Sequence, residues 1–254
     1  MTTLNFALHN LKRLKSDFAS LFFNIALPVV LYLIFGASQP DGEAEIANGN
    51  MAAYVMLAMA LYAGVSGAVS QASTVVVEQS TGWGRQLALT PLSDTQLTAA
   101  RFLVVLIHVA LPVAAVFLAG AVTKAQMEPW TWLWTYLITV AVALPFGFYG
   151  RIWAQAMRSY TAVSIAATSV VLLAIAANLL IPLTEDLLSF ARFTPLYGAA
   201  VLSRWPLTEG EQFVQTDPYW VTDPLWVPAV SIIFWTALFT LTSLALDRRE
   251  KHRA

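Results

Sequence analysis

The chain has 254 residues, of which 58% are hydrophobic and 11% charged, with a net charge of −1 and no cysteine. A soluble domain carries about 25% charged residues, so this chain has too little charge to coat a water-soluble globule, and a bilayer is its expected solvent. The lack of cysteine excludes disulfides, thiolate metal sites and cysteine nucleophiles.

At the start, Leu4, Ala7 or Leu8, Leu11, Leu14 and Phe18 recur at helical spacing, with Asn5, His9, Lys12, Arg13 and Ser16 on the other faces. This stripe predicts an amphipathic helix over residues 1–17 lying on the inner membrane surface. An apolar block from Phe18 to Ala37 follows. Its length matches the roughly 20 residues that cross about 30 Å of hydrocarbon. It is too long for the core of a cleaved secretory signal, and no small-residue cleavage site follows it.

Five further blocks qualify: Met51 to Val77, Phe102 to Val122, Trp130 to Gly150, Tyr160 to Ile181 and Trp226 to Leu246. In hydrocarbon the backbone must satisfy its own hydrogen bonds, so helices are expected. The alternating strands of a membrane barrel are absent. The expected fold is an all-α integral membrane protein, one transmembrane domain over 1–254 with six transmembrane helices.

The second block, at 27 residues and about 40 Å, exceeds the hydrocarbon thickness and is expected to project beyond it. Residues 78–98 then read EQSTGWGRQLALTPLSDTQLT. Thr81 to Ala88 can form a short helix that stops before Pro91. Ser93 and Gln96 form a capping box, with Leu92 and Leu97 as its staple, starting the next helix. Beyond the fifth block, Leu183, Leu187, Leu188, Ala191 and Phe193 mark a short amphipathic helix re-entering the outer interface. Pro195, Pro206, Pro218 and Pro224 are expected to break the rest of 182–225 into irregular pieces.

Eleven basic residues fall in one set of loops: Lys12, Arg13, Lys15, Arg85, Arg101, Arg151, Arg158, Arg248, Arg249, Lys251 and Arg253. The opposite set holds three, Lys124, Arg192 and Arg204. The positive-inside rule therefore places both termini in the cytosol, with an even number of crossings. Trp130, Trp132, Trp134 and Tyr136 open the fourth block, and Trp220 and Trp226 the sixth, where amphipathic rings favour the interface.

No Asp, Glu, Lys or Arg lies in the middle of a block. Asn24, His108 and Asn178 are the polar groups within the blocks, with Gln71 nearer an end, read first as interhelical hydrogen bonds worth about 0.6 kcal/mol and second as path-lining residues. Pro28, Pro112 and Pro145 should bend or loosen their helices. Ala60, Gly64, Ala68 and Ala72 repeat every four residues, a face for close packing within the chain. His9, His108 and His252 are dispersed and no metal-ligand cluster exists, so no catalytic or metal residue is assigned. There is no phosphate loop of the form G-x-x-x-x-G-K-[ST].

Glu78, Gly82, Arg85, Leu89, Thr90, Pro91, Leu92 and Ser93, in that spacing between the second and third blocks, resemble permeases of ABC type-2 exporters. Two later segments are similar to the same family: GFYGRIWAQAMRSYTAVS after the fourth block, and IPLTEDLLSFARFTPLYGAAVLSR after the fifth. Trp83, and the lack of a second acid soon after Glu78, depart from the family pattern. The resemblance implies a bacterial cell-membrane exporter subunit that pairs with itself or a related chain and with separate ABC-type ATPase subunits. ATP and Mg would bind in that partner, and no cofactor in this chain. It further implies that Glu78, Gly82, Arg85, Leu89, Thr90 and Pro91 couple to the ATPase through a short cytoplasmic helix. Asn24 and Asn178 would be candidate substrate-path residues, and the outer segment a re-entrant helical hairpin. The substrate would be a hydrophobic or amphipathic drug, antibiotic, lipid or peptide, with no nucleic-acid partner. Two readings without transport stay open: a membrane anchor or immunity protein, and an intramembrane enzyme acting on lipid, which would need a convergent acid, histidine or metal cluster.

Overall fold

The computed structural model describes residues 18–79 and 94–251. The expected surface helix at 1–17 and most of the elbow lie outside them. Helix α1 (Phe18–Tyr32) runs into a π-helical turn (Leu33–Ala37), and a short ribbon of β1 (Glu45–Ile46) and β2 (Gly49–Asn50) leads to α2 (Met51–Glu78). Then come α3 (Asp94–Ala121), α4 (Pro129–Ala143), α5 (Phe146–Met157) and α6 (Tyr160–Ala176). The outer segment supplies α7 (Glu185–Ala191), α8 (Tyr197–Thr208), β3 (Glu211–Phe213) and β4 (Trp220–Thr222), before α9 (Trp226–Lys251) closes the described chain.

Helix α2 is the axis of the bundle. Every residue from Met56 to Val69 is buried, as expected of a helix that is apolar all round, and α1, α3, α4, α5, α6 and α8 all pack against it. Its small residues make this possible. A Cβ on Gly67 would stand 2.1 Å from the His108 carbonyl oxygen, and one on Gly64 would stand 2.9 Å from Val113 Cγ2. The Ala60–Ala72 face therefore packs within the chain. Asn50 caps α2 and fixes its outer end: Oδ1 accepts from the Ala53 and Gln126 amides, each at 3.0 Å, and Nδ2 donates to the Lys124 carbonyl at 2.7 Å.

Among the described residues, four helical stretches are long and apolar enough to cross a bilayer: Met51–Glu78, Thr95–Ala121, Pro129–Met157 and Trp226–Arg249. Two shorter apolar helices, Phe22–Ala37 and Tyr160–Ala176, occupy the first and fifth predicted blocks. On α9, Val230, Ile233, Phe234, Leu238, Leu241 and Leu244 are exposed, a surface suited to lipid rather than water. The chain is a multi-pass membrane protein.

The proline expectation has two outcomes. Pro145 splits the fourth block into α4 and α5, because it has no N–H to donate and crowds the preceding turn. The break is bridged by tight bonds from the Gly147 amide to the Leu144 carbonyl and from the Phe148 amide to the Pro145 carbonyl. Pro28 and Pro112 stay inside α1 and α3.

The outer segment differs most from expectation. Residues 182–225 are not irregular beyond the first helix. They form α8, an almost wholly buried helix packed on α4, α9 and α2, and then the β3–β4 ribbon. Helix α7 is the shallow element, with Leu187, Phe190 and nearby Phe193 exposed. Pro206 stays inside α8, in its last turn, where it gives up the amide that would bond the Leu202 carbonyl. The two ribbons also qualify the all-α expectation. The fifth helix ends at Ala176 rather than Ile181: Asn178 takes a left-handed conformation (φ 57°), and the Leu179 and Asn178 amides bond back to the Ala174 and Ile175 carbonyls. This is a Schellman stop with Asn in the position usually held by Gly.

Candidate substrate path and coupling elements

Glu78 is the last residue of α2. Gly82, Arg85, Leu89, Thr90 and Pro91 lie outside the described residues. What is visible is how the end of α2 connects to the bundle. Ser73 Oγ donates to the Val69 carbonyl (2.7 Å) and the Gly150 carbonyl (2.9 Å), and a Cβ on Gly150 would stand 2.4 Å from the Val69 oxygen. The backbones of α2 and α5 are therefore in near-direct contact two turns before Glu78. From α5 the linkage continues to α9: the Arg151 guanidinium reaches Asp247 at 2.8 Å and Ser243 Oγ at 3.2 Å, and Gln155 donates to the same carboxylate.

At the other end of α2 lies a cleft of about 300 Å³, bordered by Phe35, Val55, Met59, Leu180 and Phe213, with Tyr54, Asn178 and Arg204 on its wall. Asn178 is buried and satisfied. Its Nδ2 donates to the Phe213 carbonyl at 2.9 Å and its Oδ1 accepts from the Leu183 amide at 2.7 Å. The side chain thus pins the end of α6 to the outer ribbon while it lines the cleft. Asn24 is half-buried on α1, eleven residues from Phe35 and so about 16 Å along the helical run. The two candidate path residues are not brought together. His108 Nδ1 bonds to the Val104 carbonyl of its own helix at 2.8 Å.

Arg204, counted from the sequence among the basic residues of the outer loops, lies instead on the buried helix α8. It is 1% exposed and meets no carboxylate among the described residues. Its Nη1 donates to the Tyr54 hydroxyl (3.0 Å) and the Asn178 carbonyl (3.2 Å), and its Nη2 to the Leu179 carbonyl (3.2 Å). Its Cζ lies 4.1 Å from the Tyr54 ring centroid. The charge is met by carbonyls at the negative end of α6 and by a ring face. Burial lowers the Arg204 pKa, with Tyr54 and Tyr197 acting in the opposite direction. An arginine nonetheless stays protonated in proteins.

A second buried group joins the outer helices to α9. Asp223, 1% exposed, takes Arg192 Nη2 at 2.8 Å on one oxygen and the Tyr197 hydroxyl on the other. Burial first, and the Asp223 carboxylate second, push the Tyr197 phenol well above its ordinary pKa, so it stays a donor. No sequence signal named these partners, which are up to 31 residues apart. The Tyr197 and Arg204 spacing was visible only as part of a family resemblance. Among the described residues no three His, Asp or Glu side chains converge as a metal site.

No family model matches the chain. Over 250 residues, covering 95% of this chain and 95% of the other, it is 24% identical to a protein of Bacillus subtilis (strain 168) described as "Putative transport permease YvfS". The similarity runs the length of the helical bundle.

Proposed function

We propose that this chain is the membrane-spanning permease subunit of an ATP-driven exporter of the ABC type-2 class. The observation that carries the reading is the similarity to a transport permease over nearly the whole of both chains. In this reading α1 with its π turn, α2, α3, α4 with α5, α6 and α9 make six crossings, with both termini in the cytosol. Two such chains, identical or related, enclose one route for a hydrophobic or amphipathic substrate, and separate ATPase subunits bind ATP and Mg. Asn24 and Asn178 remain path candidates, Asn178 on the strength of its place on the outer cleft.

Glu78, Gly82, Arg85, Leu89, Thr90 and Pro91 form the ATPase-facing elbow. A partner that binds both permease conformations equally shifts nothing, so the ATPase must bind them differently. Supporting the elbow as the receiving point, Glu78 ends the buried axis α2, which contacts α5 backbone to backbone at Gly150.

Affinity capture of the chain from its native membrane is expected to recover an ABC-type ATPase. The Glu78→Ala/Arg85→Ala pair is expected to leave the permease folded while abolishing ATP-dependent export. Normal export by a well-expressed double variant overturns the elbow assignment, and capture without any ATPase overturns the subunit reading.

A further inference from the structure

A second cavity, of about 400 Å³, lies among α2, α3, the α4–α5 break and α9. Small residues and the helix break create it. Gly147 faces Ala72, where a Cβ would make only ordinary contact at 3.5 Å, and Pro145 has parted α4 from α5 just before it. Val75, Val105, Leu144 and Phe148 give the cavity an apolar wall. Thr98, Phe102 and Ala141, also on its wall, are exposed, so it opens sideways where the bundle meets lipid.

The charged residues described on its wall are Arg101 and Arg151, and both belong at one end. The Gly67–His108 and Gly64–Val113 approaches show α3 running antiparallel to α2, whereas Gly64–Ala143 and Gly150–Val69 show α4 and α5 running parallel to it. Arg101 precedes Val105 on α3, and Arg151 follows Phe148 on α5, so each lies toward the end of α2 that carries Glu78. Arg151 is held in place by Asp247 and Ser243 through Nη2 and Nε, leaving Nη1 without a protein acceptor among the described residues. An apolar slot open to hydrocarbon and ending in two guanidinium groups, that of Arg151 fixed by Asp247, has the chemistry of a phospholipid site.

We propose that this cavity holds one anionic phospholipid of the adjoining leaflet, its phosphate at the Arg101 and Arg151 end and an acyl chain along Val105, Leu144 and Phe148. The inference rests on the chain's being membrane-embedded and not on the transport reading.

The full chain in nanodiscs of equal phosphatidylglycerol and phosphatidylcholine, released and weighed by native mass spectrometry, tests it. Wild type is expected to retain phosphatidylglycerol preferentially, and Arg101→Gln to weaken that preference about fivefold, the worth of one cation near a charged headgroup. Ala141→Phe, which fills the mouth, is expected to lower retention of both lipids. Far-UV circular dichroism establishes that each variant is folded. Equal retention of the two lipids by wild type overturns the proposal. So does undiminished phosphatidylglycerol retention in folded Ala141→Phe, or a second copy of the chain crosslinked through a cysteine placed at Ala141.

Discussion

Gly67 and Gly147 lie on facing helices of one bundle, yet they differ sharply in the space available. At Gly67 an added Cβ meets a backbone oxygen at 2.1 Å, and neither helix can yield without parting. Gly67→Ala is expected to cost about 3 kcal/mol, read as a lowered unfolding temperature in detergent. At Gly147 the added atom finds ordinary contact, and alanine's better helix propensity should make Gly147→Ala neutral or stabilising by about 0.5 kcal/mol. Arg204 gives a second contrast. Arg204→Ala leaves the buried Asn178 and Leu179 carbonyls without their donor, a loss of about 3 kcal/mol. Arg204→Lys keeps the charge but lacks the planar fork that reaches three acceptors, so it is expected to unfold at a temperature between wild type and Arg204→Ala.

Among the elements, α8 is the one whose place in the bundle depends most on contacts distant in sequence. It is short, carries a buried cation and is held through Arg204 to α6 and through Tyr197 to Asp223 at the head of α9. Asp223→Ala leaves Arg192 and Tyr197 without their shared acceptor. It is expected to raise amide hydrogen exchange selectively in residues 185–208 while α2 stays protected. Uniform exchange across the bundle would show that α7 and α8 do not open as a unit. The α2–α5–α9 stack is the corresponding connection at the opposite end, where Ser73, Gly150, Arg151 and Asp247 tie three helices together without passing through the cleft.

At the scale of the whole molecule, the excess of basic residues on one side predicts sidedness, and a chain with no cysteine makes it measurable. Single cysteines at Met157 and Ser189, both exposed and beyond opposite ends of the apolar run of α6, are expected to react oppositely with an impermeant maleimide on intact cells. Ser189→Cys should label and Met157→Cys should not. Labelling of both from outside would invert or break the proposed orientation.

Composition and block length by themselves determined the solvent, the helical class and the position of every long apolar helix, because crossing hydrocarbon demands a run of apolar residues that no loop needs. The period-four face of small residues was likewise legible, since close helix approach requires the missing atoms at those positions. Helix α8 was not. Its sequence, YGAAVLSRWPLT, is short and interrupted by Gly198, Arg204 and Pro206, and only contacts with residues far away in sequence, the end of α6 and Tyr54, make burial of Arg204 tolerable. The same holds for Asn178, where the side chain reads as an intramembrane polar group until the left-handed turn places it outside the helix. Tertiary structure decided these because a polar group's location depends on which partners the fold brings to it.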